Sequence, residues 1–345
     1  MKTKRKIKIL GAGISGMVAA ITLARDGFKV EVFEKRPRIG SFFKRDVHSL
    51  RNYCYDYDVI EKYESLGIKI SHIYPIFREF RFSPSLKQIE IYSKDKPLFY
   101  NFIRGYESKY SFDIELYKIA KDKGVKFCFN QNLNNAEADI IATGANSIKG
   151  VAYGKHYSGI SDMVPNSLYI FLNNRYSPHG YSYILPFNNE VSVVIASTKK
   201  ESKNTLKERF NNLKNNSLII KKILKNAKFE NEIFGYAFYN FPRTAIKNGK
   251  LYVGEAAGFL DASSGFGTHY AIVSGYLAAT AISENKNYDE LWKKYFGEEL
   301  KKKHFKRLVA EKMKDRDYEL TVETLLKKYG EKISIKDYRA SKQNG

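Results

Sequence analysis

Three glycines and one acid carry the first chemistry legible in this chain. Gly11, Gly13 and Gly16 lie in G-A-G-I-S-G, and Glu34 ends the following K-V-E-V-F-E. Gly11 permits a tight turn, Gly13 lets the backbone approach a pyrophosphate closely, and Gly16 with Ala20 lets a helix pack against a strand. The helix amino terminus would then hold the phosphates, and Ser15 on the same turn joins the expected cofactor-binding residues. An acid at the tip of the second strand can accept hydrogen bonds from both ribose hydroxyls of an adenosine. Glu34 disfavours a 2′-phosphate there, so FAD and NAD both suit the pattern and NADP does not.

The elements that must position these residues are visible around them. An apolar strand ends at Leu10, an apolar-faced helix runs through Ala20 and Leu23, and a second strand ends at Glu34. Strand, turn, helix, strand and acid therefore occur together at the spacing of a complete dinucleotide-binding unit. A second segment, residues 248–275, reads N-G-K-L-Y-V-G-E-A-A-G-F-L-D-A-S-S-G-F-G-T-H-Y-A-I-V-S-G. A short strand at 251–253 runs into Gly254 and Glu255, and a helix begins near Gly267 and Thr268 with small residues at Ala271, Ser274 and Gly275.

This second segment resembles the second FAD fingerprint of the para-hydroxybenzoate hydroxylase-like flavoproteins. The resemblance implies that Glu255, where relatives have Asp, binds the ribityl chain. It also implies that Gly267 and Thr268 bring a helix amino terminus to the pyrimidine end of the flavin, where its dipole favours negative charge. Two fingerprints about 240 residues apart select FAD over NAD. A-D-I-I-A-T-G-A at 138–145 is similar to the superfamily's third shared element. In K-Y-S-F-D-I-E-L at 109–116, Lys109 stands where relatives have Arg that reaches the FAD phosphates. Arg45, in the I-G-S-F-F-K-R-D-V-H segment after the adenosine-binding acid, completes the expected cofactor set.

P-H-G-Y-S-Y-I-L-P at 178–186 resembles the P-x-x-Y-x-W-x-F-P signature of geranylgeranyl reductases, with Tyr183 for Trp and Leu185 for Phe. Side chains alternate along a strand, so Tyr181 and Tyr183 share one face. Both are expected to line the substrate tunnel. N-F-P-R at 240–243 is similar to the family's proline turn before the last FAD strand. The family's cysteine-glycine segment after the first acid is missing here, and the chain is shorter than most relatives.

The implied fold is α/β: a Rossmann-like, three-layer FAD-binding domain with an inserted antiparallel-sheet substrate domain and a C-terminal helical segment. The FAD-binding domain would comprise residues 1–56, 103–146 and 243–285, the substrate domain 57–102 and 147–242, and the charged helical segment 286–345. The insertions alternate Tyr, Phe and Ile with polar residues, as half-buried strands do.

With 345 residues and 43% hydrophobic content, the chain can bury one large core or two modest ones. No apolar run approaches the ~20 residues of a membrane helix, and the reading is cytoplasmic. Cys54 and Cys128 show neither metal spacing nor a redox pair, and read as isolated thiols. The +22 formal charge suits an anionic partner, although scattered solvated lysines explain it equally well. The densest cluster, Lys301, Lys302, Lys303, Lys306 and Arg307, could rest a helix peripherally on an anionic membrane. No nucleic-acid module accompanies it.

The resemblance implies a flavoenzyme that saturates carbon–carbon double bonds of a geranylgeranyl or related isoprenoid lipid, as in lipid biosynthesis. Hydride would come from reduced FAD, and positioning would supply much of the catalysis. With one nucleotide-binding unit visible, electrons would come from transiently docked NAD(P)H or a reduced protein carrier. His269 is a candidate proton donor. Two alternatives stand beside this reading: an aromatic or polyketide monooxygenase of the same fold, and a non-catalytic flavin-bearing lipid-binding module.

Overall fold

The computed structural model describes residues 5–343. Strand Lys6–Leu10 buries Ile7 and Ile9, turns at Gly11, and feeds helix Ile14–Arg25, whose residues 14–23 are all buried. Such a helix can be enclosed only if its neighbours come close. At Gly16 a Cβ would stand 2.1 Å from the Gly11 carbonyl oxygen, and at Gly275 a Cβ would stand 2.4 Å from that of Ser15. The small residues thus seat the first helix against its own turn and against helix Thr268–Ser283.

These elements belong to a six-stranded sheet ordered Ile246–Lys247, Lys250–Tyr252, Ile140–Ile141, Lys6–Leu10, Lys29–Glu34 and Lys126–Phe129. All its joins are parallel except the hairpin of the first two. The first strand is central, so both fingerprints converge on its carboxyl end, where ligands of open α/β sheets sit.

A second sheet of eight strands forms the roof. Its order is Lys228–Ala237, Gly150–Ser158, Glu190–Ser197, Tyr181–Phe187, Ser167–Phe171, Arg78–Phe82, Gln88–Tyr92 and Lys332–Ser334. The expected antiparallel sheet is present with two differences. Ser167–Phe171 pairs parallel with Arg78–Phe82 where the two inserted segments meet. The last strand comes from the carboxy-terminal segment, which reads as purely helical, and it adds parallel to Gln88–Tyr92 by burying Ile333. A three-stranded antiparallel sheet of Asp46–Arg51, Phe99–Arg104 and Tyr74–Ile76 ties roof to base. There the Val47 amide donates to Ser192 Oγ at 3.0 Å and Asn101 Nδ2 to the Pro186 carbonyl at 2.8 Å.

Candidate functional site

Between base and roof lies a cavity of about 1410 Å³. One end is a groove made of backbone. Gly11, with φ +103°, brings the turn so close to the neighbouring strand that a Cβ would stand 2.3 Å from the Ala142 carbonyl oxygen. At Gly13, by contrast, a Cβ would meet no atom within 4 Å. Its open side borders the cavity together with Ala12, Ile14 and Ser15. Helix Ile14–Arg25 has no capping side chain and no acid in its first turn, which leaves its amino-terminal N–H groups and positive dipole end for an anion. Glu34 borders the same groove. Its Oε2 accepts from the Ala12 amide at 3.0 Å and its Oε1 from the Arg36 amide at 2.9 Å. Each oxygen keeps a second lone pair for a ribose hydroxyl.

Helix Thr268–Ser283 brings a second uncapped amino terminus to the cavity, with Gly267 and Thr268 on the wall. Glu255 lies on the same wall. Burial pushes its carboxyl up to about 7, against the opposing pull of the Phe238 amide and the Arg104 charge. Gly254 sits behind it at φ +56°, packed on Ser15. These backbone donors and this buried carboxyl fit a dinucleotide laid from Glu34 to Thr268. They would hold FAD, with Gly13 and the first helix at the pyrophosphate.

Three expected residues lie elsewhere. Arg45 pairs with Glu190, itself bound by His156, and does not border the cavity. Lys109 is exposed, its ammonium 5.0 Å from the Tyr110 ring centroid, and it too is off the wall. The basic residue that does reach the cavity from this region is Arg104, held by Asp113 at 2.7 Å. His269 is enclosed by aromatic rings, with Nδ1 2.7 Å from the Tyr63 hydroxyl and its ring 4.6 Å from that of Tyr55. Burial pulls it down to about 3, so it is neutral at pH 7, and it does not border the cavity. It is packed among these rings and off the wall where a proton donor is expected.

The other end of the cavity is a chamber made of side chains. Tyr181 and Tyr183 share its wall, with ring centroids 5.7 Å apart, and Leu185 continues their row. The Tyr181 hydroxyl donates to the Ser264 carbonyl, fixing the roof strand to the loop before Thr268. Leu168, Ile170, Phe99 and Phe266 add apolar surface. Sequence reading missed the polar part of this lining. Arg51 is bound by Asp261 at 2.8 Å and by Ser264 at 2.6 Å, and Glu79 pairs with Arg81. Burial alone would raise the Asp261 carboxyl, but Arg51 and Lys303 hold it well below the usual range. Cys54, which reads as an isolated thiol, also borders the chamber.

A family model described as an NAD(P)-binding Rossmann-like domain matches residues 9–58. A geranylgeranyl bacteriochlorophyll reductase-like protein from Thermoplasma acidophilum superposes with a TM-score of 0.74 at 19% identity, covering 93% of this chain and 91% of that one. The two chains share one fold. A myxobacterial FAD-dependent halogenase, the chondrochloren halogenase, shares it with a TM-score of 0.64 at 15% identity over 94% of this chain and 90% of its own. In sequence, an uncharacterised protein of Methanocaldococcus jannaschii is 30% identical over 142 residues, 39% of this chain and 36% of that protein's length.

Proposed function

We propose that this FAD-dependent oxidoreductase fold serves as a reductase of carbon–carbon double bonds in a geranylgeranyl or related isoprenoid lipid. The observation that carries the reading is one continuous cavity, with the glycine turn and Glu34 at one end and the Tyr183, Ile170, Leu168 and Leu185 wall at the other. FAD bound and reduced there would supply the hydride, drawn from NAD(P)H or a reduced protein carrier. The chain's own residues do the positioning. Uncapped amide groups at Gly13 and Thr268 hold anionic charge, and the tyrosine row excludes water and orients an apolar chain.

An anionic membrane face is the partner that suits the mouth of the cavity. On helix Glu298–Ala310, Phe305, Leu308 and Val309 are 58%, 48% and 66% exposed beside the exposed Lys301, Lys302 and Lys306. Lys302 and Lys306 also border the cavity. Apolar residues between free lysines form the pattern that rests on acidic headgroups. The other two members of the basic cluster are structural: Lys303 binds Asp261 at 3.1 Å, and Arg307 donates to the His179 carbonyl at 2.6 Å. Among the described residues no helix is long and apolar enough to cross a membrane.

The test is a visible spectrum of protein reduced anaerobically with dithionite and then mixed with a geranylgeranyl lipid. Return of the oxidised flavin band without oxygen is the expected result. Recovery only on admitting air would favour the oxygen-dependent monooxygenase chemistry instead.

A further inference from the structure

We infer that the chamber reads a hydroxyl end group on its substrate through Glu79, Arg81, Tyr338 and Tyr53. The inference rests on reading this cavity as the substrate chamber of the proposed enzyme. From Glu79 onward, strand Arg78–Phe82 alternates charged and aromatic residues. Phe80 and Phe82 stack on Tyr169 and Phe171 in the core above the roof, with ring centroids 5.1 and 4.9 Å apart. Glu79 and Arg81 therefore point the other way, and both border the cavity.

Register places this pair relative to the tyrosine row. Ile170 lies opposite Tyr183 on one side and Arg81 on the other, and Leu168 lies opposite Glu79. Two strand spacings separate Tyr183 from Arg81, about 10 Å. Across that distance the wall changes from aromatic to aliphatic to charged.

The charged end is withdrawn from water, with the Glu79 side chain 2% and the Arg81 side chain 14% exposed. A buried pair of this kind is costly to desolvate and is weak evidence of a stabilising device. Its bonding is also incomplete. Arg81 directs both Nε and Nη2 at Glu79 Oε1, and Nη1 donates to the Tyr338 hydroxyl at 2.6 Å. Among the described residues nothing donates to Glu79 Oε2, and the Tyr53 hydroxyl on the same wall has no hydrogen-bond partner. Burial holds that phenol protonated.

Charge and donor count select the ligand chemistry. Glu79 and Arg81 cancel, so a carboxylate or phosphate finds no net positive charge and faces an acceptor, Glu79 Oε2, to which it cannot donate, and a bare hydrocarbon would leave Oε2 unsatisfied. An alcohol satisfies both groups, donating to Glu79 Oε2 and accepting from Tyr53 or a remaining Arg81 N–H.

The test titrates FAD-loaded protein with farnesol, farnesene and farnesoic acid, and with benzyl alcohol and toluene, reading Kd from the perturbed flavin spectrum. In at least one skeleton the alcohol should bind about tenfold tighter than the hydrocarbon, as a hydrogen bond to a charged group allows. The acid should bind no tighter than farnesol. Arg81→Met alone strands a buried carboxylate, so the informative variant is Glu79→Leu with Arg81→Met, which removes both charges at similar volume. It should equalise alcohol and hydrocarbon without weakening the hydrocarbon. Preference in the benzyl pair alone would uphold the inference and sink the isoprenoid reading. Farnesyl compounds that bind with no alcohol preference, when the benzyl pair shows none either, would do the reverse. Tightest binding by the acid, a preference surviving in the double variant, or no binding by any probe would overturn the inference.

Discussion

Groove and chamber are two walls of one cavity, and they recognise by different means. The groove offers peptide groups: the amides behind Gly13 and at Thr268, with Glu34 clamped by the Ala12 and Arg36 amides. Its specificity lies in how closely the backbone can be approached. The chamber offers rows of side chains across strands, from Tyr183 through Ile170 to Arg81. Its specificity lies in the register between segments far apart in the chain. A ligand common to many enzymes can be held by the first kind of wall, and one particular to this enzyme needs the second.

The groove side of this contrast breaks most sharply at its glycines. Gly11→Ala forces a Cβ to 2.3 Å from the Ala142 carbonyl oxygen at a left-handed φ, and the expected loss is about 2–5 kcal/mol of folding stability. Gly13 has φ −76° and free space where its Cβ would go, so Gly13→Ala should leave the folding stability of flavin-free protein within about 1 kcal/mol. It should nevertheless lose flavin, because the methyl group occupies the space for the pyrophosphate. Urea melts and the ratio of visible to protein absorbance separate the two outcomes. A Gly13→Ala protein that stays fully yellow would place the pyrophosphate elsewhere.

Glu255 joins the two walls, and its burial makes a pH signature of the flavin-free protein. The folded carboxyl titrates at about 7 against an ordinary 4.5. Between those values the folded chain keeps a proton that the unfolded chain has released, so this group's stabilisation is complete below 4.5 and is lost as pH rises through 7. The total is of the order of 3 kcal/mol. Glu255→Gln should therefore match wild type near pH 4.5 and exceed it by that amount above pH 7. His269, whose shift has the opposite sign, cancels in the comparison because both proteins carry it. A constant difference across the range would mean that the carboxyl is ionised throughout.

The same contrast explains what the sequence could reveal. Strand, turn, helix and acid at 7–34 are contiguous, and Gly11 and Gly16 are dictated by approaches within that stretch or to one neighbouring strand. The six-stranded sheet, the groove and the shared face of Tyr181 and Tyr183 are legible for that reason. Arg45 and Lys109 fail because a basic residue near a motif has a long side chain, and only tertiary neighbours choose its direction. Arg45 finds Glu190, and Arg104 borders the cavity where Lys109 does not. In R-E-F-R-F at 78–82 the alternation is plain, but alternation does not say which face meets water. The roof has apolar packing above and the cavity below, so the charged face turns inward. Lys332–Ser334 was hidden by its length, since three residues carry no period that distinguishes strand from helix.

The smallest expected effect sharpens the boundary where the chamber opens. Of the basic residues on Glu298–Ala310, Lys302 is exposed at the mouth and Lys303 is spent on Asp261. Adjacent lysines on one helix thus differ: Lys302 is exposed, where the proposed membrane contact would use it, and Lys303 holds the wall. Lys302→Gln should weaken sedimentation with phosphatidylserine vesicles by about fivefold, the ~1 kcal/mol of one lysine at an anionic surface, and leave the melting temperature unchanged. Raising salt to about 1 M should erase the difference, because the screening length falls to about 3 Å. Lys303→Gln should do the converse, lowering stability with vesicle binding intact. Equal binding of wild type to phosphatidylcholine and phosphatidylserine vesicles would remove charge from the account and leave Phe305, Leu308 and Val309 as an apolar patch for some other purpose.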